Sequence, residues 1–92
     1  MNKKKIKSAL IITGEDWEVM YINGESVDQG HTINEGTERY VYILGMLMEH
    51  GINPLDISFA YTNDKGDKML EELGRFPDEL SDFEGCYGIS HY

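Results

Sequence analysis

The dipeptide Asn23-Gly24 limits this chain's folding options more than any other feature. Both residues tolerate the positive φ that a type I′ turn needs at its two central positions. Between two extended runs, such a pair specifies a β-hairpin and its register. The run before it, residues 17–22 (WEVMYI), places Trp17, Val19 and Tyr21 on one face and Glu18, Met20 and Ile22 on the other. The run after it, ESVDQ, is polar. A two-residue loop pairs Ile22 with Glu25, Tyr21 with Ser26 and Met20 with Val27. Val27 then joins Met20 and Ile22, while Ser26 and Asp28 join Tyr21 and Val19. A polar return strand belongs at a sheet edge.

The flanking segments complete an α+β pattern. Residues 5–13 (KIKSALIIT) predict a strand with Ile6, Leu10 and Ile12 inward, and Gly14-Glu15-Asp16 turns the chain into the hairpin. From about 34 to 50 the period becomes helical, with Tyr40, Val41, Leu44, Leu47 and Met48 as the apolar set. Asn34 or Thr37 is the expected cap, Glu35 and Glu38 favour the first turn, and His50-Gly51 is the stop. Asn53-Pro54 marks a loop. Residues 56–62 (DISFAYT) alternate Ile57, Phe59 and Tyr61 against Ser58 and Ala60. Asp64 is the expected cap of a second helix, 65–73, with Met69, Leu70 and Leu73 inward and Gly74 ending it. Residues 75–85 form a loop pinned by Phe76, Leu80 and Phe83, and the CYGISHY tail is extended. The order β-β-β-α-β-α predicts one domain: an antiparallel sheet of about four strands with the long helix on one face.

Ninety-two residues make a single domain with a thin core. No apolar run approaches the roughly 20 residues that a membrane span needs. The basic start MNKKKIK precedes only a short apolar stretch and an acidic turn, which is not the pattern of a cleaved leader. One cysteine, Cys86, cannot form an internal disulfide and suits a reducing cytoplasm. Half of the eight basic residues are Lys3, Lys4, Lys5 and Lys7. From Ser8 onward 17 acids face four bases, Arg39, Lys65, Lys68 and Arg75, a net of 4 − 17 = −13. Such a body repels nucleic acid and anionic membranes and attracts basic protein surfaces.

No residue pattern points to catalysis or to a cofactor. Cys86 has no motif around it, and Gly85 and Gly88 flank it. His31, His50 and His91 lie far apart with no metal-ligand spacing. The acidic run from Asp78 to Glu84 lacks the glycine and alternating ligands of a calcium loop. The glycine-containing stretches at 14 and 36 carry acids that oppose a phosphate. The ten aromatics offer more. Trp, Tyr and Arg dominate binding hot spots. Trp17 and Tyr21 share a strand face, roughly 13 Å apart at ~3.3 Å per residue. His31 follows the return strand, placed either to meet the next helix's amides or to sit beside Trp17.

Two separated segments, DWEVMYINGESVDQGHTI and ELGRFPDELSDF, together resemble small uncharacterised phage and bacterial proteins. The positions that carry the resemblance are Asp16, Trp17, Glu18, Tyr21, Gly24, Gly30 and His31, then Gly74, Phe76, Pro77, Leu80 and Asp82. The resemblance supplies no catalytic or binding residue. It implies a small cytoplasmic accessory protein, phage-encoded, of the kind that counters host defences.

The leading expectation is therefore a non-enzymatic binding protein, a phage-type inhibitor docking on a basic surface of a host protein and mimicking nucleic acid. Its acidic docking residues are Glu71, Glu72, Asp78, Glu79, Asp82 and Glu84. The alternative is a binder that sequesters a nucleotide signal, with Trp17 or Tyr21 stacking the base and Arg39 or Arg75 meeting phosphate. A third reading is a structural or regulatory subunit whose apolar edge pairs with a second copy.

Overall fold

The hairpin forms where Asn23-Gly24 places it, with φ of 52° and 86° at the two turn residues. The computed structural model describes residues 8–31 and 38–89. The expected Asn34 or Thr37 cap, Glu35, Ile6, the four N-terminal lysines, His91 and Tyr92 lie outside these residues. The described elements are β1 (Ala9–Thr13), β2 (Glu18–Ile22), β3 (Glu25–Gly30), α1 (Glu38–Glu49), β4 (Ile57–Thr62), α2 (Asp64–Leu73) and β5 (Tyr87–Ile89). Short 3₁₀ turns occupy Pro54–Asp56 and Leu80–Phe83.

The α+β class and the long helix on one sheet face agree with the hydrophobic pattern. The sheet has five strands in the order β3-β2-β1-β4-β5, because the tail contributes β5. It is mixed: β1 runs parallel to β4, and every other pair is antiparallel. Both faces of β1 are covered, which is why consecutive residues Ile11 and Ile12 are fully buried. On one face Ala9, Ile11, Met20 and Ile22 pack with Ile43, Leu47 and Ile52. On the other, Ile12, Val19, Tyr21 and Ala60 pack with Phe76, Phe83 and Cys86, and α2 adds Met69 and Leu70. Phe76, Leu80 and Phe83 pin the 75–85 segment as expected, whereas Leu73 is exposed. Among the described residues no helix is long and apolar enough to cross a membrane.

Two expectations about side-chain direction are corrected. The first concerns β3. Its register begins as the turn dictates, with Ile22 opposite Glu25 and Tyr21 opposite Ser26, but Met20 then faces Asp28 rather than Val27. Val27 is the extra residue of a β-bulge, which shifts everything beyond it by one position. Asp28 consequently moves to the α1 face, where it accepts a hydrogen bond from the Tyr42 hydroxyl. Gln29 takes the place expected for Asp28, beside Trp17.

The second correction concerns α1. Of the expected inward set, only Leu47 is buried; Tyr40, Val41, Leu44 and Met48 are exposed. The inward row is Arg39, Ile43 and Leu47, at i, i+4 and i+8. Arg39 heads this row because its guanidinium forms a two-pronged pair with Glu18 on the helix-facing side of β2, at 2.6 and 3.0 Å. A charged residue leading the buried row hid it from a search for apolar periodicity. The helix ends as its sequence requires. Gly51 adopts φ of 69°, its N–H donates to Met48, and the Ile52 N–H donates to Leu47.

The N-terminus of α2 is capped by Asn63 rather than by Asp64: the Asn63 side-chain oxygen accepts from the Gly66 N–H at 2.9 Å. Asn63 also ties this end to the chain before β5, through its N–H to Cys86 and its side-chain amide to Gly85. The approach is so close that a Cβ on Gly66 would lie 2.1 Å from the Cys86 carbonyl oxygen. Gly66→Ala should therefore lower stability by at least about 2 kcal/mol, read from urea unfolding. Gly88→Ala, where a Cβ meets nothing within 4 Å, should stay within about 0.5 kcal/mol.

Candidate functional site: an acidic cleft beside Trp17

The β1–β2 turn, α2 and the residues that end α2 enclose a cleft of about 230 Å³. The turn contributes Glu15, Asp16 and Trp17; α2 contributes Asp67, Leu70 and Glu71; Gly74 and Arg75 close the far side. The turn is held by the Gly14 N–H donating to the Trp17 carbonyl at 2.7 Å. Beneath it, Gly14 leaves room for Leu70, whose Cδ1 would lie 3.1 Å from a Cβ at that position. The apolar lining is thus Trp17 and Leu70, both half-buried, and around them are the exposed Glu15, Asp16, Glu71 and Arg75 and the half-buried Asp67.

Trp17 is fixed from two sides. Its indole N–H donates to the Gln29 side-chain oxygen at 2.8 Å. The His31 ring meets it edge-on with centroids 4.9 Å apart, and His31 Nδ1 lies 3.1 Å from the Asp16 carbonyl oxygen. Gln29 in turn pairs with the Phe76 backbone like one more rung of sheet: its oxygen accepts from the Phe76 N–H at 2.9 Å, and its amide donates to the Phe76 carbonyl at 3.2 Å. The hairpin edge is further closed by Ser26 N–H donating to Asp78 and Leu80 N–H donating to Gly24. The 75–80 segment, which carries Arg75, Asp78 and Glu79, is thus fastened to the hairpin.

The structure separates the aromatic and basic candidates. Trp17 and Arg75 line the cleft, and His31 buttresses Trp17. Tyr21 is buried, with its hydroxyl donating to the Pro77 carbonyl at 2.6 Å, so it presents no surface to a ligand. Arg39 lies on the opposite sheet face, bound to Glu18, whose carboxylate also accepts from the Thr13 hydroxyl at 2.7 Å. Arg75 is paired with Asp78 at 2.6 Å. Of the residues expected to hold a nucleotide, Trp17 and Arg75 therefore meet in one cleft, with Arg75 paired to Asp78, while Tyr21 and Arg39 lie elsewhere.

The six acidic candidates, Glu71, Glu72, Asp78, Glu79, Asp82 and Glu84, are all exposed, and Glu71 lines the cleft. Sequence reasoning missed Glu15, Asp16 and Asp67 as members of this cleft, and Gln29 as its anchor. The first two read only as a turn. Asp67 becomes a neighbour only when α2 docks, and its carboxylate there accepts from the Thr62 hydroxyl. Cys86 is buried, with its sulfur 3.9 Å from that of Met69. Among the described residues no three His, Cys, Asp or Glu side chains are grouped to hold a metal ion.

Two pairs shape the stability of this arrangement. Glu18 is 5% exposed, so removing Arg39 strands a buried carboxylate. Arg39→Met should cost about 2–4 kcal/mol in chemical denaturation, and Glu18→Gln combined with it should cost less than the sum of the two singles. Burial, reinforced by the Asp78 carboxylate, holds the Tyr21 hydroxyl well above its ordinary pKa of 10.0. Burial and the hydrogen bond to Asp28 push Tyr42 up to about 12. Both groups are neutral in the native state when the unfolded chain begins to ionise. Their stabilisation is complete below pH 10.0 and is lost as pH rises through that value toward the native pKa. Tyr21→Phe should flatten this alkaline loss in pH-dependent melts, while costing about 1–2 kcal/mol at neutral pH for the Pro77 hydrogen bond.

Comparison with protein-family models, curated proteins and solved structures finds no match for this chain.

Proposed function

We propose that this chain is a non-catalytic binding protein that docks on a basic protein surface. The observation that supports this reading is the cleft: Trp17 and Leu70 as an apolar lining, with Glu15, Asp16, Asp67 and Glu71 around it. A lysine or arginine side chain has the matching form, an aliphatic stem for the apolar lining and a cationic head for the carboxylates. Its charge also gains from the indole face. The single guanidinium of the cleft is held by Asp78, so the local field stays negative and disfavours a phosphate.

Around the cleft, Glu72, Asp78, Glu79, Asp82 and Glu84 extend the acidic surface, and the body as a whole carries −13 from Ser8 onward. That distribution speeds encounter with a basic partner and makes it salt-dependent. In its most specific form the reading is inhibition of a host protein whose basic groove normally holds nucleic acid, by a phage-encoded chain. That form draws on the resemblance of the hairpin and of the ELGRFPDELSDF segment to small uncharacterised phage and bacterial proteins.

The sole tryptophan lies in the cleft, so its fluorescence reports occupancy directly. A lysine- and arginine-rich peptide titrated into the protein at low salt should shift Trp17 emission saturably, and the affinity should fall as salt is added. Glu15→Gln combined with Glu71→Gln should weaken binding at least ~5-fold, an effect of about 1 kcal/mol. No emission change at low salt, or binding indifferent to both substitutions, would reject the reading.

A further inference from the structure

We infer that the outer flank of α1 is the interface of a symmetric homodimer. At 100° per residue, taking Ile43 as the direction of the sheet, Tyr42 and Met46 turn toward β3, where Tyr42 meets Asp28. Tyr40, Leu44, Met48 and Val41 turn the other way, spanning roughly 60° to 160°. That flank looks over β4. There Phe59 and Tyr61 occupy the same sheet face, and Tyr40, Phe59 and Tyr61 line one shared crevice of about 280 Å³. The helix flank and the open sheet form an L-shaped apolar ledge.

The ledge has the dimensions of a missing helix. Five strands at ~4.8 Å spacing give a face roughly 20–25 Å across, room for two helices about 10 Å apart. Among the described residues α1 is the only helix there. The helix that fits is a second α1, because it carries the complementary surface. Each copy's α1 would sit over the other's β4, and the two helices would form one layer between two sheets.

Area and charge both favour a second copy. Tyr40, Val41, Leu44, Met48 and Tyr61 are 68, 70, 47, 77 and 55% exposed. Together they leave on the order of 600 Å² per chain, at the upper end of what a monomer shows. Pairing would bury on the order of 1,200 Å², enough for a specific interface. These residues carry no charge. They are the surface by which two strongly acidic bodies can approach with least repulsion, and a basic partner finds nothing there to pair with. Gly45, beside this flank, has nothing within 4 Å of its Cβ position and lets the partner's backbone come close. The acidic cleft lies on the opposite side of the sheet, so both clefts of the dimer stay open.

Sedimentation equilibrium of the full chain, from about 1 to about 500 μM, tests this at micromolar association. A monomer–dimer equilibrium is expected, tightening as salt screens the like charges. This is the reverse of the salt response expected for docking on a basic peptide, so the two readings fail separately. Val41→Lys combined with Met48→Lys, which makes the chain less negative, should nonetheless weaken the dimer at least 10-fold. Leu44→Cys lies midway along the helix on the facing flank and should form a covalent dimer on mild oxidation, while Lys68→Cys on α2 should not. A wild-type chain that stays monomeric throughout, a dimer that the lysine pair leaves intact, or equal cross-linking at positions 44 and 68 would overturn the inference. If circular dichroism shows the lysine variant unfolded, the cross-linking comparison decides.

Discussion

The β-bulge at Val27 is the small event on which the candidate site depends. A strand has a side-chain period of two, so one extra residue exchanges the faces of everything after it. Here the exchange sends Asp28 to the helix α1, where Tyr42 meets it, and brings Gln29 to the opposite face. From there Gln29 holds the Trp17 indole and both backbone groups of Phe76. Without the bulge an aspartate would occupy that place. A carboxylate can accept from the indole and from the Phe76 N–H, but it has nothing to donate to the Phe76 carbonyl. The amide is the group that satisfies both partners.

The Glu18–Arg39 pair has a comparable effect on the other face. A buried ion pair contributes little net stability, because desolvation offsets most of the attraction. Its geometric consequence is larger. By seating Arg39 against β2, it sets the rotation of α1, commits the Ile43–Leu47 row to the core and leaves the Tyr40–Met48 flank outside. Raised pKa directions fit this picture. The hydrogen bonds that the Arg39 guanidinium donates to the Glu18 carboxylate hold its pKa above the ordinary range despite partial burial.

The two faces therefore serve different ends. On the α2 side, distant segments converge on an acidic cleft around the only tryptophan, which suits a cationic side chain of a partner. On the α1 side, a neutral apolar flank remains beside an open stretch of sheet, which suits a second copy. A dimer built on one face would present two clefts on the others. Binding to a partner with repeated basic segments would then gain from linkage without any new contact.

Much of the fold was legible because its signals are local. Asn23-Gly24 encodes positive φ, Gly51 and Gly74 stop helices through their own backbone freedom, and Phe76, Leu80 and Phe83 mark a segment that has to be pinned. With the hydrophobic periodicity between them, those residues determined the hairpin, the order of the first six elements and the α+β class, but not the parallel β1–β4 pairing or the fifth strand. The tertiary structure alone decided which way the side chains point beyond Val27, and that the α1 row headed by Arg39 rather than the apolar Tyr40–Met48 row is turned inward. It also decided that Glu15, Asp16, Trp17, Asp67, Glu71 and Arg75 share one cleft. The physical reason is the same in each case: a bulge, a buried ion pair and the docking of α2 are settled by partners far away in the chain. Local periodicity carries no record of partners at that distance.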